Sequence, residues 1–154
     1  MSREGSDLQP ELVLGPLRVN VHAYQFTSAD NEWDANWLFA TAQCAADGAT
    51  VRVTGSFLST SDLIGFAQQC EQLYQQLEGQ ALLEPLEPEL RVTLRYIDRA
   101  GHLEGRVQIT PDHMTQQHQF VFTIDQSFLP KLAADCRAIL AKFPARQIEK
   151  ARGA

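Results

Sequence analysis

The residues best equipped for chemistry cluster in "ADNEWDANWLFA" (29–40). Asp30, Glu32, Asp34 and Asn36 fall on alternate positions, the spacing of the first four ligands of a calcium-binding loop. Such a loop needs glycine at its sixth position and a bidentate glutamate at its twelfth. Those positions hold Ala35 and Thr41, so the calcium reading falls away. The acids remain, with Trp33 among them in a polar stretch. An exposed aromatic beside carboxylates has the composition of an interface hot spot; the alternative is that Trp33 packs locally. Trp37, four residues on, is expected in the core or at a sheet edge. Asp34 is expected to hold the turn by accepting backbone N–H bonds.

A second acidic stretch holds Glu84, Glu87 and Glu89 beside Pro85 and Pro88. Paired carboxylates perform general acid–base chemistry when burial splits their pKa values, and nothing in this stretch points to burial. It is read as an exposed segment, with a contact surface for a basic partner as its functional alternative. The candidate partner-binding set is therefore Asp30, Glu32, Trp33, Asp34, Glu84, Glu87 and Glu89.

Other reactive side chains carry less. His113 and His118 are five apart, not at the i, i+4 spacing that puts two ligands on one helix face; with His22 and His102 they read as exposed histidines. Cys44, Cys70 and Cys136 are an odd, widely spaced set, neither a disulfide framework nor a zinc site. Each lies on an apolar face, as buried free thiols do. There is no Gly-rich phosphate loop, no Gly-x-Ser-x-Gly, no His-Glu-x-x-His and no Cys-x-x-Cys. No catalytic residue, cofactor or metal is assigned.

These residues must be positioned by a fold that the hydrophobic periodicity outlines. Leu17, Val19, Val21 and Ala23 alternate with polar neighbours, a strand pattern, and an earlier short strand is expected near Leu12–Leu14. Leu38, Ala40, Ala42 and Cys44 share one strand face. Asp47-Gly48 then signals a hairpin into a strand carrying Val51, Val53 and Phe57. Leu63, Phe66, Ala67, Cys70, Leu73, Tyr74 and Leu77 are spaced by threes and fours, one face of a helix. Ser59 or Thr60 is its expected cap, Gly79 its stop, and Gly65 is expected to permit close packing. Prolines keep 81–90 extended. Alternating faces follow at Leu90–Tyr96, Leu103–Ile109 and Phe120–Ile124. A last amphipathic helix begins at a Ser127 cap, carries Phe128, Leu129, Leu132, Ala133, Cys136, Ile139, Leu140 and Phe143, and stops at Pro144. The expected class is α+β: a mostly antiparallel sheet of about six to seven strands with two amphipathic helices on one face. One domain is expected over 11–146, between a disordered leader (1–10) and a frayed tail (147–154).

The chain has 154 residues and a net charge of −6. Residues 1–125 hold 17 acids against 7 bases, while residues 126–154 hold 2 acids against 6 bases. A net negative charge does not favour nucleic acid as partner; the asymmetry reads either as an ordinary solvated surface or as electrostatic attraction to a basic partner. No stretch approaches the ~20 apolar residues of a membrane helix. The opening "MSREGSDLQP" lacks the apolar core of a signal peptide, so a cytoplasmic location is expected.

Four motifs, in order, carry a family resemblance: "DANWL" (34–38) opening a strand, "LSTSDL" (58–63) opening a helix, "EPELRVTL" (87–94) and "FPAR" (143–146). Together they resemble the bacterial immunity proteins of the WapI type, small α+β proteins encoded beside secreted polymorphic toxins. The chain departs from that pattern with Glu89 for asparagine, Asp62 for glutamate, and Ser56-Phe57 where a tryptophan is expected. The resemblance implies function by binding: cytoplasmic neutralisation of one cognate toxin domain, a basic nuclease being one candidate, with no catalysis or cofactor. The alternatives are an interaction or adaptor module with no toxin partner, and a small-ligand-binding domain or enzyme with a sheet pocket.

Overall fold

The computed structural model describes residues 9–148. Its strands are β1 (Leu12–Leu14), β2 (Leu17–Tyr24), β3 (Trp37–Ala46), β4 (Ala49–Ser59), β5 (Gln80–Leu83), β6 (Leu90–Tyr96), β7 (His102–Ile109) and β8 (Gln119–Asp125). The helices are α1 (Glu32–Ala35), α2 (Thr60–Gln76) and α3 (Leu129–Lys142). The class is α+β, as expected. The strands number eight, and they form two sheets rather than one: β1-β2-β3-β4 and β5-β6-β7-β8, each an antiparallel meander. The additional strand is β5, in the stretch the prolines keep extended.

The hairpin between β3 and β4 forms at Asp47-Gly48. Ala46 pairs with Ala49, so the loop is two residues long, and Gly48 takes φ +78°. The inward residues of β2 and β3 are Leu17, Val19, Val21, Leu38, Ala40, Ala42 and Cys44. Ala23 is exposed rather than aligned with them, because the register shifts between Val21 and Ala23 and turns the rest of the strand over.

The helix α2 buries Leu63, Phe66, Ala67, Cys70 and Leu73. Tyr74 and Leu77, expected on that face, are exposed, because the helix ends around them: Leu77 is the C-cap with left-handed φ +58°. Its N-terminus is a capping box. The Asp62 N–H donates to Ser59 Oγ at 3.2 Å, and the Ser59 N–H donates to Asp62 Oδ2 at 2.8 Å. Gly65 makes no close approach: a Cβ built there would find nothing within 4 Å. The cap expected of Ser127 comes from Asp125, whose side chain accepts from the Ser127 N–H. A single 3-10 turn (Gln126–Phe128) then precedes α3, so Phe128 is exposed.

Both helices close the core and also satisfy sheet edges, which otherwise present unpaired backbone groups. Gln69 on α2 bonds Leu82 of β5 reciprocally, accepting from its N–H at 2.8 Å and donating to its carbonyl at 3.0 Å. Asp135 on α3 accepts from the Val13 N–H of β1 at 3.3 Å. The sheets meet through their inner faces. The Phe122 ring lies where a Cβ on Gly15, in the β1–β2 turn, or on Gly105, in β7, would collide with it.

Candidate functional site

The corner between β2 and β3 is built from its caps upward. Asn31 has extended backbone geometry, and its side-chain oxygen accepts the Asp34 N–H at 2.8 Å while its amide donates to Asp34 Oδ2 at 3.0 Å. The turn is therefore held by Asn31, not by Asp34: the residue before a helix is the one whose side chain reaches the third helical N–H. The result is α1, a four-residue helix where a loop was expected. It buries Ala35 and leaves Trp33 62% exposed.

Asn36 and Arg146 lock this corner to the end of the chain. The Arg146 N–H donates to Asn36 Oδ1 at 2.8 Å, and the Asn36 amide donates back to the Arg146 carbonyl at 3.0 Å. The Arg146 guanidinium donates to the carbonyls of Ala35 (Nε, 2.8 Å), Phe26 (2.8 Å) and Thr27 (3.1 Å). It also lies 3.8 Å over the Tyr24 ring, a cation–π contact. Tyr24 in turn donates its hydroxyl to the Pro144 carbonyl and packs edge-on against Phe143. A planar fork with five N–H donors suits several carbonyls converging from a turn. Arg146 was missed as a functional candidate because it is the last residue of the expected domain, at the edge of the stretch read as a tail. The signal was there: it closes "FPAR", and Asn36 lies in "DANWL".

Beside the corner lies a groove of about 250 Å3 lined by Glu32, Trp33, Asn36, Trp37, Ser59, Thr60, Ser61, Ile64 and Ala145. Trp37 is 9% exposed and meets Trp33 edge to face, with ring centroids 5.7 Å apart and planes at 86°. It is buried beneath α1 and the groove rather than in the main hydrophobic core. The Thr60 N–H donates to the Asn36 carbonyl at 3.0 Å, which sets α2 against the corner. Among the described residues the lining carries one formal charge, that of Glu32. Asp62, in the first turn of α2, offsets the positive end of that helix. A groove of this size holds on the order of eight waters, at ~30 Å3 each, and falls short of the ~300–1,000 Å3 of small-molecule pockets. It has the capacity for one long side chain.

The predicted residues fall into two separate groups. Asp30, Glu32, Trp33 and Asp34 share the clamped corner. Glu84, Glu87 and Glu89 lie in the β5–β6 connection, on the other sheet, and among the described residues no hydrogen bond or ion pair joins the groups. Glu84 is paired with Arg91 at 3.3 Å. Pro85 is buried, Leu86 is highly exposed, and Glu87 and Glu89 are half-buried. Glu89 Oε2 is buried with no hydrogen-bond partner among the described residues, while the Glu89 carbonyl accepts from the Thr110 N–H at 2.9 Å.

The three cysteines are buried free thiols, as expected. Burial pushes Cys44 up to about 11 and Cys70 and Cys136 up to about 12, so all three are protonated and inert at neutral pH. His22, His102 and His113 are exposed, and His118 is half-buried. His102 Nδ1 lies 2.6 Å from Asp98 Oδ2, and that bond raises the histidine's pKa and lowers the carboxyl's. Among the described residues no group of His, Cys, Asp and Glu is arranged to hold a metal, and no helix is long and apolar enough to cross a membrane.

The model of the Immunity protein WapI-like family matches residues 13–144, nearly all of the folded chain. The chain belongs to the WapI-like immunity protein family. No curated protein matches it. The family match stops at Pro144, so the clamp joins a corner inside the matched region to a residue two positions beyond it.

Proposed function

We propose that this protein neutralises a cognate secreted toxin domain by binding it in the cytoplasm of the bacterium that makes both. The family match over residues 13–144 carries this reading. The surface supports it. An exposed tryptophan stands on an acidic corner whose backbone is already fixed, so docking there costs little ordering entropy. The net charge of −6 favours fast encounter with a basic partner. A nuclease is such a partner, because it must meet phosphate, and an acidic inhibitor imitates the charge of its substrate. The proposed contact surface is Asp30, Glu32, Trp33 and Asp34, with Glu84, Glu87 and Glu89 as a second acidic area. Inhibition is by occupancy and involves no catalysis.

Co-expression with the toxin domain encoded by the neighbouring gene tests this. Growth arrest by the toxin alone and restored growth with this protein is the expected outcome. A neighbour that is harmless, or toxic and not neutralised, contradicts the reading.

A further inference from the structure

We infer that the Trp33–Trp37 groove is a socket for one arginine side chain of the toxin domain; this rests on the neutralisation reading above. The lining is matched to the two halves of that side chain. Trp37, Ile64, Ala145 and the Trp33 ring present apolar surface to a methylene stem. Glu32 supplies the carboxylate of the lining; Asp30 and Asp34 lie in the same corner, the Asp34 carboxylate accepting from the Asn31 amide. The exposed Trp33 ring offers a face on which a planar guanidinium stacks.

Charge and size select among occupants. Among the described residues no lysine or arginine lines the groove, and the one formally charged residue of that lining is Glu32. The nearest base in sequence to the lining, Arg146, directs its guanidinium to three carbonyls and the Tyr24 ring, and among the described residues it forms no ion pair with Glu32. A purely apolar anchor would leave Glu32 desolvated and unpaired, which costs free energy. A carboxylate would meet Glu32 as a like charge. The volume of about 250 Å3 admits one long side chain. The clamp explains why a short helix serves here: with Ala35 and Asn36 tied to Arg146, α1 presents Trp33 and Glu32 in a fixed arrangement before the partner arrives.

The test is calorimetric titration of the neighbouring gene's toxin domain into the full-length protein and its variants, with circular dichroism to show that each is folded. Trp33→Ala is expected to weaken binding by about 30-fold and Glu32→Gln by about 10-fold, in the range of interface hot spots. Trp33→Phe should keep most of the affinity, since it retains a ring. Glu32→Gln should also flatten the salt dependence. Replacing the toxin's exposed arginines singly by alanine should yield one whose loss is no longer felt once Glu32→Gln is present. Wild-type binding with Trp33→Ala and Glu32→Gln both unchanged overturns the socket and leaves the neutralisation reading standing. Loss with Trp33→Ala alone, and none with Glu32→Gln, means an apolar anchor and overturns the arginine. No binding by the wild-type protein overturns the neutralisation reading and the socket with it.

Discussion

Two acidic stretches of similar composition are held in opposite ways. In the corner at 30–36, the backbone is tied by Asn31, Asn36 and Arg146, and the side chains of Glu32 and Trp33 are left for solvent. In the β5–β6 connection, buried Pro85 anchors the backbone, but Glu84 is already spent on Arg91 and Glu89 is turned partly inward. A surface kept for a partner is one whose ordering costs are met inside the monomer while its charges stay unpaired. By that criterion the corner is the better prepared of the two proposed contact areas.

The largest expected effect comes from cutting the clamp. Arg146→Ala removes several charge-assisted bonds and should lower stability by roughly 2–4 kcal/mol, read by urea denaturation. It should also weaken toxin binding, because Trp33 and Glu32 lose their fixed frame. A loss of stability below ~0.5 kcal/mol would show that the corner holds its shape without Arg146. Next comes the helix wall of the groove. Ser59→Ala breaks the capping box and should cost about 1 kcal/mol. Gly65→Ala, nearly two turns further on with nothing among the described residues within 4 Å of the added Cβ, should gain about 1 kcal/mol while leaving binding unchanged. On the other side of the comparison, Arg91→Ala removes an exposed ion pair and should cost no more than ~0.5 kcal/mol. Equal costs for Arg91→Ala and Arg146→Ala would erase the distinction between the two regions.

The smallest effect is a pH dependence in neither region. The Asp98–His102 pair gives stability above the lowered pKa of Asp98 and below the raised pKa of His102. Its contribution is fully present below the ordinary histidine pKa of 6.5, as long as Asp98 is ionised, and fades as pH rises through the raised value. A His102→Gln variant should therefore match the wild type at high pH and fall behind it near pH 5–6, in thermal melts across that range.

How much of this was legible follows from the range of the forces involved. The strand faces of β2, β3, β6 and β7 and the buried stripe of α2 obey local periodicity, so the α+β class and most of the core could be read from residue spacing. The division into two sheets could not, because it depends on where α2 crosses between β4 and β5. The bulge that exposes Ala23 and the left-handed Leu77 that ends α2 are decided by pairing and capping, and they overrule the pattern. At the corner the composition marked Trp33 and its acids. The roles of Asn31 and Arg146 were hidden: one is a local choice between adjacent polar residues, the other joins positions 110 residues apart. The motifs "DANWL" and "FPAR" held both ends of that clamp, and only the fold brings them together.

We propose that the clamped corner is the principal face that meets the toxin domain. Hydrogen exchange of the protein alone and in complex with that domain tests it most directly. The predicted result is protection strongest at residues 30–37 and 59–64, the two walls of the groove, with weaker protection at the second acidic area, 84–89. Protection confined to 84–89 or to the outer faces of the sheets, with the corner exchanging as in the free protein, would contradict it.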